Sequence, residues 1–498
     1  QLETNARRAS ARFTTWRLAI FAVGLFGSII PHKLGWTLLG NATLAFSFML
    51  FLIVAWHHNR LEDRLHRLRR WQGIKQVHLA RMRLGWADIP FRPVPVPERH
   101  GYATDLDLAG PHSLLHLINN TVSSQGQERL ASWLFDQPPE PAQWAGRQAL
   151  IRELTPLSLL RDRLSLEAQA VEDADIDGRR LLAVLQKRVD SPSFMPMLLT
   201  ETFLALATAG LMLTDLVYGI GNYWMLSFGL YAFLFLSVRS RSEEIFDHAQ
   251  SLHRQLERLS AVIGYLERRS YRAAPRLAEL CRPLLQQDTS PSTSLKQAAS
   301  VMNRLSVRAH PLVHYLINAF GPWDLYHTYR LQHLQDRIAA VAPQWFELLA
   351  ELDAAASLAT FAYLHPDYPW PSLQQPDDAA HLSGAGPILD AQGLAHPLIP
   401  AKARVANHIV FQERGRMFLV TGSNMSGKST FLRTIGINTC LAQAGGPVCA
   451  ASFRWSLVRI GSCIRVDAPL DGGLSFFYAE VKRLKRILDS TRDMNGTP

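Results

Sequence analysis

One stretch constrains this chain more than any other: Gly422-Ser423-Asn424-Met425-Ser426-Gly427-Lys428-Ser429-Thr430. Gly422 to Ser429 fits G-x-x-x-x-G-K-[ST] without a mismatch. Met417-Phe418-Leu419-Val420 before it reads as a buried strand, and Phe431-Leu432-Arg433-Thr434-Ile435 after it as the start of a helix. In a strand–loop–helix setting, glycines let successive backbone N–H groups point at phosphate oxygens. Lys428 supplies a point charge, Ser429 a hydroxyl for Mg²⁺, and the helix N-terminus a favourable dipole. The motif thus assigns residues 422–430 to the phosphates of a nucleotide, with Ser429 also on Mg²⁺. The alternative, a chance glycine-rich turn, explains neither flank.

The remaining 400 or so residues are organised differently. The chain is long enough for two to four domains, each with its own core. Its 52 Lys and Arg against 42 Asp and Glu leave a formal charge of +10, which suits nucleic acid or an anionic membrane face. Cys281, Cys440, Cys449 and Cys463 show no paired spacing, so reduced, buried thiols in a cytosolic compartment are expected, with no zinc or disulfide framework. The first residue is Gln1 and the last four are Asn495-Gly496-Thr497-Pro498, so the chain reads as a fragment of a longer protein.

A basic segment (1–16) precedes two apolar runs at 17–56. Leu18 to Ile30 is the first; Pro31-His32-Lys33 interrupts; Trp36 to Trp56 then runs 21 residues without a charge. About 20 apolar residues cross a bilayer's hydrocarbon core, and the terminal tryptophans suit its interfaces. A cleaved signal peptide is the rival, but no small-x-small site follows and a second span does. Residues 57–99 form a basic juxtamembrane helix and a proline-rich linker, Pro90 to Pro97. The arginines at 60, 64, 67, 69 and 70 read as a positive-inside flank against anionic lipid, or as a nucleic-acid face. Residues 100–190 and 243–360 are amphipathic helix, with Ser113 as an N-cap, Gln148 to Leu160 as one helical run, and Asp288–Ser294 as a loop. Between them, 197–238 forms a second transmembrane hairpin turning at Gly219–Asn222; its carboxylates Glu201 and Asp215 fall near the interfaces. A buried soluble hairpin is the competing reading. A linker (361–387) with four prolines leads to an α/β nucleotide domain (388–498), whose short strands are expected at Ala406–Phe411, Met417–Val420, Val448–Phe453 and Val458–Gly461.

Taken together, the C-terminal residues resemble the MutS family of mismatch-repair ATPases. Asn424-Met425-Ser426-Gly427-Lys428-Ser429-Thr430 looks like that family's phosphate loop, His396-Pro397 like its entry to the ATPase domain, Ala406-Asn407 like the segment before its first strand, and Gly445-Gly446-Pro447-Val448 like its turn after the loop helix. Gly473-Leu474-Ser475-Phe476-Phe477-Tyr478-Ala479-Glu480 is similar to its signature loop. The resemblance implies that Ser475 acts in trans on the nucleotide of the opposite subunit, and hence a homodimer through ATPase domains with composite sites. It extends diffusely to Asp105-Leu106-Asp107, Asn119-Asn120-Thr121, Leu130 to Leu134 and Glu351-Leu352-Asp353, which look like the two ends of the family's core domain. The departures are a missing mismatch-reading domain, a hairpin where the family carries its DNA levers and clamp, and no Walker B acidic pair. No catalytic residue is therefore assigned; ATP hydrolysis is expected of the full-length protein.

The expected fold class is α + α/β: a mostly helical MutS-like core with two transmembrane hairpins, followed by a truncated P-loop ATPase domain of ABC type. The expected protein is membrane-anchored (inner or cytoplasmic membrane, multi-pass), with its soluble domains in the cytoplasm. Its partners are ATP with Mg²⁺, a second copy, membrane lipid and, by resemblance, mismatched or branched DNA. A membrane-embedded P-loop ATPase of transport or envelope type, with no DNA role, is the rival.

Overall fold

The computed structural model describes residues 2–95, 102–136, 139–169, 176–186, 194–286, 290–305, 311–374, 388–412, 417–464 and 476–492. The chain divides into two compact units, 1–79 and 80–498. The first contains α1 (Leu2–Lys33) and most of α2 (Thr37–Arg83), antiparallel partners joined where Gly35 takes φ +80°. The basic segment 1–16 is part of α1, and the juxtamembrane stretch simply continues α2 to Arg83. The two helices cross closely: a Cβ on Gly24 would lie 2.4 Å from that of Ser47. Near the open end, the Ser10 hydroxyl meets His58 at 3.0 Å and the Arg60 guanidinium stacks 3.7 Å over Trp56. Leu18, Phe21, Leu38 and Phe46 along the hairpin are exposed.

The second unit is a helical body carrying a small sheet. Its helices are α3 (Leu114–Ile118), α4 (Ser124–Phe135), α5 (Pro141–Leu154), α6 (Ser158–Ala168), α7 (Gly178–Gln186), α8 (Phe194–Tyr218), α9 (Trp224–Glu267), α10 (Pro275–Leu285), α11 (Pro291–Leu305), α12 (Pro311–Phe320) and α13 (Trp323–Leu364). Local chemistry explains several boundaries. The Ser113 hydroxyl accepts from the His116 N–H at 3.1 Å, the N-cap that starts α3. The run from Gln148 to Leu160 is two helices, because Pro156 lacks the N–H that continuity needs. Part of the loop expected at Asp288–Ser294 is helix instead, since Pro291 suits a first helical turn; residues 288–289 lie outside the described residues. Leu256, Leu259, Ile263 and Leu266 of α9 are buried, as their spacing predicts.

Helix α13 is the spine of this unit. It packs on α4, α5, α7 and α11, and its Trp345, Leu352 and Leu358 are enclosed. Beyond it come β1 (Ser372–Leu373), β2 (Leu389–Leu394), β3 (Asn407–Phe411), α14 (Lys428–Gln443), β4 (Ser452–Trp455) and α15 (Phe476–Arg492). The strands form one mixed sheet in the order β1-β4-β2-β3, with β1 parallel to β4 and the other pairs antiparallel. The linker at 361–387 is partly structured: α13 runs to Leu364, and Ser372–Leu373 pairs with Arg454–Trp455.

Two expected strands are absent. Met417–Val420 is not a strand, and its side chains are exposed, Met417 at 92% and Leu419 at 84%. Val458–Gly461 is irregular as well, and the expected strand at Val448–Phe453 lies later, at Ser452–Trp455. A strand is defined by its ladder, and no described residue supplies hydrogen-bond partners to 417–420. By length and composition, Arg12–Pro31, α2 and Met195–Tyr218 could each cross a membrane, and Trp224–Ser237 is a shorter apolar stretch.

Candidate functional site

Helix α14 is held at its back and open at its front. Thr434, Ile437, Asn438, Cys440 and Leu441 are buried. The Asn438 amide donates to the Ala395 carbonyl at 3.0 Å and accepts from the Cys449 N–H at 2.7 Å, so one mid-helix side chain ties α14 to both flanking segments. The Trp144 indole N–H donates to the Ala442 carbonyl at 2.7 Å, joining the helix to α5. No local signal announces Asn438, because both partners belong to other segments.

The front of α14 carries the glycine loop. Gly427 sits at φ +89° immediately before the first helical residue, a left-handed geometry that a Cβ would strain, and no side chain caps the helix there. Gly422 has φ +155°, and a Cβ on it would lie 2.9 Å from the Ser426 hydroxyl. Met425, at φ +65°, is fully exposed at the loop's crest. The Lys428 ammonium folds back to donate to the Gly422 carbonyl at 2.8 Å and the Ser423 carbonyl at 2.6 Å. Ser423, Asn424, Ser426, Ser429 and Thr430 are all exposed around it. The nine loop residues named from the sequence are therefore together. Ser475 lies outside the described residues.

Three consecutive residues of the helical body grip this region. A tight turn at 102–108 closes through the Leu108 N–H to the Ala103 carbonyl (2.9 Å), with Asp107 at φ +51°. Asp105, fully buried, accepts from the Ser462 hydroxyl at 2.8 Å and the Ile464 N–H at 2.9 Å, and pairs with Arg483 of α15 at 3.0 Å. Leu106 packs where Gly436 leaves room: a Cβ there would come within 2.5 Å of it. Asp107 pairs with Arg433 of α14 at 3.5 Å. The sequence marks the Asp-Leu-Asp triplet, but its partners are more than 300 residues away.

His396 is buried beside this turn. Burial, with help from Arg433 and Arg404 and against the pull of Asp107, holds its imidazole down at about 4. The native state thus binds fewer protons than the unfolded chain between pH 4 and the ordinary pKa near 6.5, so stability is lost as pH falls through that window. From pH 7 to 5, the wild type should lose about 2 kcal/mol more unfolding free energy than His396→Gln. Parallel urea titrations at the two pH values measure the difference; equal losses would remove His396 from the account.

Residues 418–495, the loop, its helix and α15, match the family model for MutS domain V. Curated relatives agree. The chain is 34% identical over 148 residues to the DNA mismatch repair protein MutS of Chlorobium chlorochromatii, covering 29% of this chain and 16% of that protein. It is 37% identical over 161 residues to the DNA mismatch repair protein MutS 1 of Halobacterium salinarum (31% and 17%), and 34% over 158 residues to the MutS of Desulfovibrio desulfuricans (32% and 16%). The loop-bearing C-terminal region is thus similar to MutS domain V, and the chain is similar to MutS proteins over about a third of its own length. The matched region spans about a sixth of the length of these relatives.

Proposed function

We propose that this chain is the membrane-anchored part of a MutS-like ATPase that binds ATP·Mg²⁺ and works as a nucleotide-switched dimer. The observation that carries it is the mouth of α14: an uncapped helix N-terminus behind a left-handed glycine, with an ammonium folded into the loop's carbonyls. The donor set suits a triphosphate. Lys428 is free to exchange two carbonyl acceptors for phosphate oxygens, first-turn N–H groups face the same space, and the exposed Ser429 hydroxyl is available to Mg²⁺. Bound Mg²⁺ would screen the phosphate charge. Residues 422–430 form the P-loop of an ATPase domain in this reading, and Ser475 approaches the partner subunit's nucleotide.

Anchoring is supported by the exposed apolar side chains of α1, α2, α8 and α9 and by the basic continuation of α2. The soluble body then lies in the cytoplasm, in keeping with its free thiols; burial pushes Cys281 up to about 11, so it stays protonated. The relatives' names, DNA mismatch repair proteins, add mismatched DNA as a partner in this reading. The exposed apolar hairpin α8–α9 favours a second reading, a membrane ATPase of transport or envelope type without a DNA role. A salt-titrated electrophoretic shift decides: a DNA binder loses affinity steeply with log[salt], and no binding at low salt leaves the second reading.

Lys428→Ala tests the nucleotide site. Its ammonium touches only the loop, so the variant should melt like the wild type while ATP·Mg²⁺ affinity falls about 10- to 100-fold, the worth of a charge-assisted contact. Unchanged affinity by calorimetric titration would mean that the loop does not hold phosphate.

A further inference from the structure

Helix α12 is built inside out. Its polar His314 and Asn318 are 6% and 2% exposed, whereas Val313, Leu316 and Phe320 are 45%, 61% and 83% exposed. The apolar three fall at i, i+3 and i+7, one stripe of a helix. A helix facing water carries the opposite pattern. The inward polar groups are satisfied within the protein. His314 Nε2 lies 2.6 Å from Asp324 Oδ2, the Asn318 amide donates to the His314 carbonyl at 2.9 Å, and Asn318 Oδ1 accepts from the Asp324 N–H at 3.1 Å. The Tyr231 hydroxyl of α9 donates to the Asn318 carbonyl. Polar groups turned inward and mutually bonded, with apolar groups turned outward, is what a low-dielectric surrounding demands.

The position of α12 fits that surrounding. Asn318 meets Tyr231, and the ring of His314 lies 6.0 Å from that of Phe235. One helix advances four residues as the other recedes four, so α12 runs antiparallel alongside α9. Across the hairpin, Ser227 of α9 bonds the Thr208 hydroxyl and the Leu204 carbonyl of α8, which sets Tyr231, one turn further along α9, level with residues near 202. That level is about 24 Å from Tyr218 at 1.5 Å per residue, against a hydrocarbon core of about 30 Å. Leu199 and Phe203 are 61% and 70% exposed at the same height, so the stripe on α12 continues the apolar surface of the hairpin. Gly321-Pro322 then turns the chain, and α13 departs from Trp323.

We propose that α12 and the Gly321–Pro322 turn form a short re-entrant element, dipping shallowly into the bilayer beside the second hairpin with Val313, Leu316 and Phe320 against acyl chains. The proposal rests on the reading that α8–α9 spans a membrane. It gives α13, which runs from this turn to the nucleotide domain, a foot in the lipid. There Leu358 packs against Gly446, just beyond α14.

The test uses the full chain in phosphatidylcholine–phosphatidylglycerol vesicles, with single introduced cysteines carrying an environment-sensitive fluorophore. Leu316→Cys and Phe320→Cys report on α12, Leu213→Cys on α8, and Leu285→Cys on the water-facing side of α10. Cys281, Cys440 and Cys449 are buried, and the unsubstituted chain, labelled in parallel, sets the background. Lipids spin-labelled high on the acyl chain should quench positions 316 and 320 more than about twofold over position 285. Position 213, about 8 Å from Tyr218 at 1.5 Å per residue, lies inside the core and should be quenched as well. Quenching at 213 with 316 and 320 as dark to the quencher as 285 overturns the re-entrant element and leaves the hairpin standing. No quenching at 213 overturns the hairpin reading and this inference with it. Copy-to-copy cross-linking at Phe320→Cys with the fluorophore shielded from lipid also overturns it, assigning the stripe to a second copy.

Discussion

Asp353→Ala is expected to lower the stability of the helical body by about 3–5 kcal/mol, the cost of breaking a buried, hydrogen-bonded charge. Asp353 of α13 is enclosed, and its Oδ2 accepts from the Val122 N–H at 3.2 Å, the Ser123 N–H at 2.9 Å and the Ser123 hydroxyl at 2.5 Å. Ser123 in turn caps α4 through the Gly126 N–H at 3.0 Å. One carboxylate therefore fixes the start of α4 to the spine 230 residues later. The approach is close: a Cβ on Gly126 would lie 2.4 Å from that of Asp353, so water has little room to replace the lost oxygen. A term of opposite sign exists, since burial pushes this carboxyl up to about 6 and alanine relieves that cost. The stranded donors outweigh it, because three groups lose their acceptor at once and each costs about 1–3 kcal/mol. Urea unfolding followed by tryptophan fluorescence measures the change. A midpoint equal to that of the wild type would show that Asp353 is a bystander.

How much of this was legible beforehand follows from how local each feature is. The N-cap at Ser113, the buried face Leu130, Trp133 and Leu134, and the loop-and-helix at 422–443 are written in adjacent residues, and the structure has them. Strand Met417–Val420 read correctly as apolar and wrongly as paired, because pairing depends on neighbours elsewhere in the chain. Strand β1 is two residues long inside a proline-rich stretch, and β2 contains Asp390, Gln392 and Gly393; they are strands because of ladders to distant segments, β1 with β4 and β2 with β4 and β3. The inversion of α12 was invisible for a related reason. Sequence gives the amphipathic stripe, while which side faces inward is decided by Tyr231, Phe235 and Asp324 on two other helices. The loop that would hold phosphate was readable; what holds the loop's helix in place was not.

Asp105→Ala should detach α15 while leaving the loop at 422–430 intact. Asp105 is the shared acceptor for Ser462, Ile464 and Arg483, and it is fully buried, so removing it strands a guanidinium and an N–H in a closed site. Breaking such a pair costs about 3–5 kcal/mol. Along α15, Val481, Leu484 and Leu488 are exposed, and Ile487 packs against Gly461. The loss should therefore appear as local opening, with faster amide exchange across 476–492 and unchanged protection in α4 and α14. Asp105→Asn, which keeps the acceptor oxygen and loses the charge, should fall between. Ser475 immediately precedes α15, so if it reaches the partner subunit's nucleotide, a loosened α15 cannot present it. ATP affinity should then stay within about threefold of the wild type, since Lys428 and Gly427 are untouched, while ATP-induced dimerisation is lost by light scattering. Unaltered exchange in α15 would refute the latch. Full dimerisation despite a mobile α15 would refute the role given to Ser475.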